Sequence, residues 1–237
     1  MSKIFFVMPA YNEAENIAAT IQQWYPAVQR CAELGHDARL VIANDGSKDN
    51  TFGIMQGLQA QYPLLEPLDK PNSGHGATVL FLYRHALAQG ADYIFQTDSD
   101  GQTLPEEFWQ MWDAREEYDM QIGYRRTRED GFSRIIVTKT LRLVVRLMFG
   151  VWVTDANTPF RLMRADKLQQ ILTVIPQDFF LSNVAVAAIA TKRHYRIGWH
   201  EITFRPRQGG VNSINLRRII KIGWKALKDF RQLNAAC

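Results

Sequence analysis

The sequence predicts an α/β fold, a mostly parallel sheet flanked by helices, and three observations point to it. Apolar runs of strand length alternate with helically spaced segments through the first hundred residues. The polar and glycine-rich residues gather immediately after those runs, where the loops of such a sheet lie. The chain has 237 residues, 46% hydrophobic and 22% charged, which is the composition of a globular domain able to bury a substantial core. The alternation carries most weight, because parallel neighbours need a crossover and a helix is the usual one.

Taken in order, residues 3–8 form a short apolar run, and 13–31 carry helical spacing at Ile17, Ile21 and Trp24. Residues 39–43 read as a second strand, 49–62 as a helix, 64–68 as a short strand and 75–88 as a third helix. Residues 91–97 complete the alternation. Beyond them, 132–149 has an amphipathic pattern with Thr138, Leu141, Val145 and Met148 on one face and Arg134, Arg142 and Arg146 interspersed. Residues 215–233 give a last helix, apolar at Leu216, Ile220, Trp224, Leu227 and Phe230 and basic over much of the rest. That pattern suits an interfacial helix on anionic lipid, and equally a helix packed on its own domain.

Bulk properties narrow the function classes. Residues 1–10 lack the long apolar region of a signal peptide and no run approaches a membrane span, so a cytoplasmic address, with peripheral contact on the cytoplasmic membrane face, is expected. Cys31 and Cys237 make neither a disulfide framework nor a metal-ligand pattern. The net charge of +4 conceals a reversal: residues 1–117 hold 7 Lys/Arg and 16 Asp/Glu, net −9, and residues 118–237 hold 21 and 8, net +13. A basic half could face nucleic acid, anionic lipid or a phosphorylated substrate. Nucleic acid is disfavoured, because no helix-turn-helix, zinc or aromatic RNA-binding signature accompanies the charge.

The loops carry the chemistry. In the first, Asn12 serves as a helix N-cap with Glu13 and Glu15 in the first turn. In the second, Asp45 opens a turn at Gly46 and Ser47, or accepts a hydrogen bond from a nucleotide base. The third brings Gly74 and Gly76 to a helix start, suiting close approach of backbone to a phosphate or sugar. After the fourth strand come Asp98, Ser99, Asp100, Gly101 and Gln102. Two carboxylates and an amide oxygen at alternate positions suit a hard divalent cation, Mg²⁺ or Mn²⁺, that keeps positions open for diphosphate and water. A solvated acidic turn has the same composition.

Together the segments PAYNE (9–13), NDGSKDNT (44–51), NSGHGA (72–77), DSDGQ (98–102) and GYR (123–125) resemble, in order and spacing, the family 2 glycosyltransferases. The resemblance implies a GT-A fold, a Rossmann-like sheet joined to an acceptor-binding half, in one domain: a nucleotide-sugar half over 1–117, an acceptor half over 118–213 and an amphipathic basic helix over 214–237. It implies donor contacts at Pro9, Tyr11, Glu13, Asp45, Asn72, Gly74 and Asp98, and a metal at Asp98, Asp100 and Gln102. Asp100, Arg125 and Asp155 are the implied catalytic residues.

The second half is similar to the dolichyl-phosphate mannose synthase branch, where residues matching Arg125, Arg134 and Thr138 bind the lipid phosphate. Thr138 stands where that branch usually has serine. DANTPFR (155–161) is similar to the branch's D-x-x-S-G-F-R element with Ser-Gly replaced, and Asp155 reads equally as an anchor for Arg161 or as a catalytic group. HEITFRPR (200–207) is similar to the strand before the branch's R-x-x-G-x-S-K loop. Here RQGGVNSI (207–214) lacks the lysine and is longer by one, leaving Arg205 and Arg207 as the donor-phosphate candidates.

The implied reaction is metal-dependent, inverting transfer of a sugar from a UDP- or GDP-sugar to a polyprenyl phosphate. Transfer to a saccharide hydroxyl is the alternative, and it would require a carboxylate base near the anomeric carbon. A non-catalytic nucleotide-sugar or acidic-lipid binding protein would instead bind donor without turning it over.

Overall fold

The computed structural model describes residues 1–125, 132–205, 229–231, 233 and 234; of residues 132–140 it describes the backbone. Arg207, the side chains of Arg134 and Thr138, and most of the 215–233 segment therefore lie outside the described residues.

Among the described residues seven strands form one sheet: β1 (Lys3–Ala10), β2 (Asp37–Asp45), β3 (Leu65–Lys70), β4 (Tyr93–Gln96), β5 (Met120–Tyr124), β6 (Arg161–Arg164) and β7 (Ile197–Glu201), in the order β3-β2-β1-β4-β6-β5-β7. The first four are mutually parallel, as the alternation predicts. β6 runs antiparallel to both β4 and β5, and β7 is parallel to β5. β6 has no signature in the sequence. It is a four-residue stretch with arginine at both ends, too short for a readable period.

Alternation along β1 explains the two-sided core. Phe5 and Val7 join the layer beneath α3 (His75–Ala88), α6 (Ala165–Leu172) and α7 (Ser182–Lys192), together with Val145 and Phe149 of α5 (Phe132–Phe149). Ile4, Phe6 and Met8 join the opposite layer with α1 (Ile17–Glu33), α2 (Thr51–Leu58) and α4 (Phe108–Asp113). Side chains of a strand take opposite faces in turn, so a strand apolar at every position must be covered twice. On the second side Trp24, Phe95, Phe108 and Phe160 pack as tilted and edge-on rings with centroids 4.8 to 6.1 Å apart.

Helix starts differ from the sequence expectation where loops are tied to each other. α1 begins at Ile17, four residues later than its periodicity suggests, with Asn16 rather than Asn12 at its N-cap. Asn12 lies in the left-handed region at φ 53, which asparagine tolerates better than most residues. At the far end of the chain, Phe230 is fully buried against Phe149 and Phe179, and Leu233 is buried with it. Lys192 Nζ donates to the Asn234 carbonyl at 3.0 Å. The end of the C-terminal segment thus packs on its own domain, which corrects the interfacial reading at Phe230.

Candidate active site

The site is built at the carboxyl ends of β1, β2 and β4, where parallel strands leave a crevice. Its loops are laced together. The Asn12 amide N–H donates to Ser47 Oγ at 2.9 Å and Lys48 N–H donates to Asn12 Oδ1 at 2.8 Å. Glu13 N–H donates to Thr51 Oγ1, and Ala14 N–H to Asp49 Oδ2. The first loop is fixed by the second rather than by a cap on its own helix, so a polar network takes the role that the sequence assigns to Asn12.

The acidic turn is anchored at three points. Ser99 Oγ donates to the Pro9 carbonyl at 2.8 Å, Thr20 Oγ1 donates to the Ser99 carbonyl at 3.0 Å, and the Thr97 and Thr103 hydroxyls lie 2.7 Å apart across the turn. Gly101, at φ +71, lets the chain double back. With the flanks fixed, the side chains of Asp98 and Asp100 are left to line the cleft.

The resulting cleft has a volume of about 570 Å³ and is lined by Pro9, Ala10, Tyr11, Glu13, Asp45, Asn72, Gly74, His75, Thr78, Asp98, Ser99 and Asp100. It brings together seven donor-site candidates, Asp98 among them, and Asp100, the second carboxylate of the acidic turn. Tyr11 stands 43% exposed at the cleft, with its ring available to a flat ligand. Glu13 is buried and accepts a hydrogen bond from Asn16 Nδ2 at 2.9 Å.

Asp45 has more partners than the sequence suggests. Its Oδ1 accepts from Lys70 Nζ at 2.5 Å and Ser73 N–H at 2.8 Å, and its Oδ2 from Gly74 N–H at 2.9 Å. Asn72 Nδ2 donates to its carbonyl. Burial pushes the carboxyl pKa up, but the hydrogen bonds from Lys70, Ser73 and Thr78 outweigh it and hold the group below the usual range. Asp45 thereby ties the third loop to the end of β2.

The two glycines of that loop separate. Gly74 has φ +88 and opens onto the cleft with nothing near an added Cβ. Gly76 does not face a ligand: an added Cβ would sit 2.2 Å from the Phe180 carbonyl oxygen, so its role is close packing of α3. Between them His75, unassigned in the sequence reading, places Nε2 3.1 Å from Asp98 Oδ1. Desolvation within the cleft pulls the imidazole pKa down, and the carboxylates of Asp98, Asp100 and Asp45 outweigh it, raising the pKa overall. A histidine between two loop glycines was the signal available.

Residues 5–187 match the family described as Glycosyl transferase family 2. The chain belongs to that family. Among curated relatives, the glycosyltransferase is 26% identical to the undecaprenyl-phosphate mannosyltransferase of Micrococcus luteus over 90% of this chain and 88% of that one. It is 24% identical to the polyprenol monophosphomannose synthase of Mycolicibacterium smegmatis over 88% and 80%. Among solved structures, it superposes with a TM-score of 0.69 on glucosyl-3-phosphoglycerate synthase from Mycobacterium tuberculosis, determined with Mn²⁺, UDP and glucosyl-3-phosphoglycerate. That pair is 16% identical, over 99% of this chain and 80% of that one, which shows the GT-A fold.

The remaining candidates of the glycosyltransferase lie beside the cleft lining. Gln102 Nε2 donates to the Arg205 carbonyl and Arg205 N–H donates to the Gln102 carbonyl, both at 2.8 Å, clasping the acidic turn to the segment that leaves β7. Arg125 follows β5, with its Nε 3.4 Å from Asp155 Oδ2 and its guanidinium carbon 4.7 Å from the Phe204 ring centroid. Arg161, fully buried, donates to the carbonyls of Ala156, Thr158 and Asn183. Asp155 thus pairs with Arg125, and backbone oxygens accept the hydrogen bonds of Arg161.

Proposed function

We propose that the protein transfers a sugar, with inversion, from a nucleoside diphosphate sugar to a polyprenyl phosphate, using a divalent metal, Mg²⁺ or Mn²⁺. The observation that carries this reading is the link between two oppositely charged regions: the acidic turn that lines the nucleotide-sized cleft is bonded through Gln102 to Arg205, and the neighbouring Phe204 packs on Arg125 at the end of β5. The names of both curated mannosyltransferases point to the same acceptor class.

The donor set fits the metal. Asp98 and Asp100 present oxygen ligands to the cleft, and Gln102, whose amide nitrogen is committed to Arg205, keeps its oxygen as an acceptor. No group of three His, Cys, Asp or Glu side chains placed to hold a metal occurs among the described residues. Two carboxylates suit an ion that takes its other ligands from diphosphate and water. Bound there, a metal supplies charge neutralisation for the departing diphosphate.

The protein's own part is positioning. Tyr11, Asp45, Asn72 and Gly74 line the donor side, and Arg125, with Arg134 and Thr138 outside the described contacts, orients the acceptor. A phosphate oxygen of the acceptor attacks the anomeric carbon as that carbon's bond to the diphosphate oxygen breaks, the electron pair leaving with the nucleoside diphosphate. A phosphate monoester is already ionised near neutral pH, so the attack needs no base. Arg205 and Arg207 are the remaining diphosphate ligands.

Contact with a membrane surface completes the reading. No helix among the described residues is long and apolar enough to span a bilayer. Leu143 and Leu147, one turn apart on α5, and Trp152 just after it are 55%, 67% and 61% exposed, and Arg146 covers the Trp152 ring. Apolar side chains flanked by arginine are suited to the headgroup boundary of anionic lipid.

A panel of UDP- and GDP-sugars with a short polyprenyl phosphate and Mn²⁺, with products read by mass, tests the proposal. A polyprenyl-phosphate sugar is expected with one donor class. A product formed only with a glycan acceptor would overturn it.

A further inference from the structure

We infer that Phe204 and Asp155 are positioning residues that hold the Arg125 guanidinium in place for an anionic acceptor. The inference rests on Arg125 as an acceptor-phosphate ligand, and it gives Asp155 a role other than general base.

Three segments converge on one guanidinium. β5 and β7 pair in parallel with Tyr124 opposite Glu201, and Ile202 N–H extends the ladder by donating to the Tyr124 carbonyl at 3.0 Å. This register delivers Phe204 to Arg125, whose guanidinium carbon lies 4.7 Å from the ring centroid, within cation–π range. From the segment after α5, Asp155 brings its carboxylate 3.4 Å from Nε. The Arg125 side chain is only 14% exposed and that of Asp155 4%.

This arrangement has a chemical consequence. Among the described residues only Nε of Arg125 is hydrogen-bonded, which leaves the paired Nη edge for two oxygens of a phosphate. A free arginine would lose rotamer freedom on binding; one held on a ring face and against a carboxylate has already lost it. Asp155 acts electrostatically on the buried Arg161 as well as pairing with Arg125. An ionised phosphate acceptor has no proton to give, so its attack asks no base of Asp155.

The test compares Phe204→Leu with Phe204→Tyr in the full-length protein. Leucine keeps apolar bulk and removes the ring face; tyrosine keeps the ring. Phe204→Leu is expected to raise the acceptor KM about tenfold with kcat and donor affinity little changed, and Phe204→Tyr to restore it. Equal acceptor KM for the two variants would overturn the role of the ring. Asp155→Asn is expected to raise the acceptor KM while leaving the pH profile of kcat intact. Collapse of kcat with loss of the profile's acidic limb would overturn the role of Asp155 by making it a base. Donor affinity, measured by calorimetry, serves as the check that each variant is folded.

Inorganic phosphate separates this inference from the choice of acceptor. Were wild type to transfer to no polyprenyl phosphate, the acceptor reading would fall while the clamp stayed testable. Phosphate binding lost in Arg125→Ala, weakened in Phe204→Leu and kept in Phe204→Tyr supports the clamp. Phosphate binding indifferent to Arg125 sinks it.

Discussion

The crevice at β1, β2 and β4 and the region beyond β5 manage charge in opposite ways. In the crevice, carboxylates accept hydrogen bonds from backbone N–H groups, as at Asp45 and Asp49, and the side chains lining it are held by the loops around them. Beyond β5 the fixed charges are guanidinium groups secured by different devices: a ring and a carboxylate for Arg125, and three carbonyls for Arg161. One side is shaped to meet an anion through a cation or through backbone N–H groups, the other to meet an anion directly. A donor diphosphate and an acceptor phosphate can then be held close together without sharing ligands.

Breaking the acidic side has the largest expected effect. Asp100→Ala is expected to lower metal-dependent transfer by a hundredfold to a thousandfold, on the order seen when a group stabilising transition-state charge is removed. Release of nucleoside diphosphate measures it, and removal of the metal by a chelator should reproduce the loss in wild type. Undiminished turnover in the variant would remove Asp100 from the metal site.

Next is the pair that anchors the third loop. Lys70 and Asp45 are largely buried, so Lys70→Met strands a carboxylate and is expected to cost about 3 kcal/mol, read from urea unfolding. The pH dependence follows in sign. Asp45 has a folded pKa below its unfolded one, so its contribution is present above the unfolded carboxyl range near pH 4 and is lost as pH falls through the folded value. Lys70→Met raises that folded value, which moves the onset of acid destabilisation to higher pH. An unchanged acid limb would show that the Ser73 and Gly74 N–H groups suffice alone.

The smallest effect sharpens the basic side. Leu143→Asn with Leu147→Asn is expected to reduce partitioning onto anionic vesicles about thirtyfold, from lost apolar burial, while transfer to a short soluble acceptor is retained. Vesicle sedimentation measures it. Equal partitioning of the double variant and wild type would take this face out of the membrane contact.

Legibility in the sequence was uneven for physical reasons. The four parallel strands and the 75–88 helix were readable because strand and helix periods are strong where one element alternates with another. Asp98 and Asp100 were readable because their chemistry is local to one turn. Asn12, Lys70 and His75 were not, since each takes its meaning from a partner in another loop: Lys48, Asp45 and Asp98. Gly76 reads as a ligand contact because a glycine needed for packing and one needed for a phosphate look alike in sequence. The insertion of β6 between β4 and β5 is invisible because pairing partners 65 to 71 residues apart leave no local trace.

The sequence by itself determined the alternating first half, the order of the loops, the acidic turn and the reversal of charge past residue 117, because all four depend on residues close along the chain. Only the tertiary structure decided that Asp155 meets Arg125, that Phe204 lies against the same guanidinium, and that the acidic turn is clasped to the end of β7 through Gln102 and Arg205. Those contacts depend on sheet register, and register is fixed by hydrogen bonds and burial across strands.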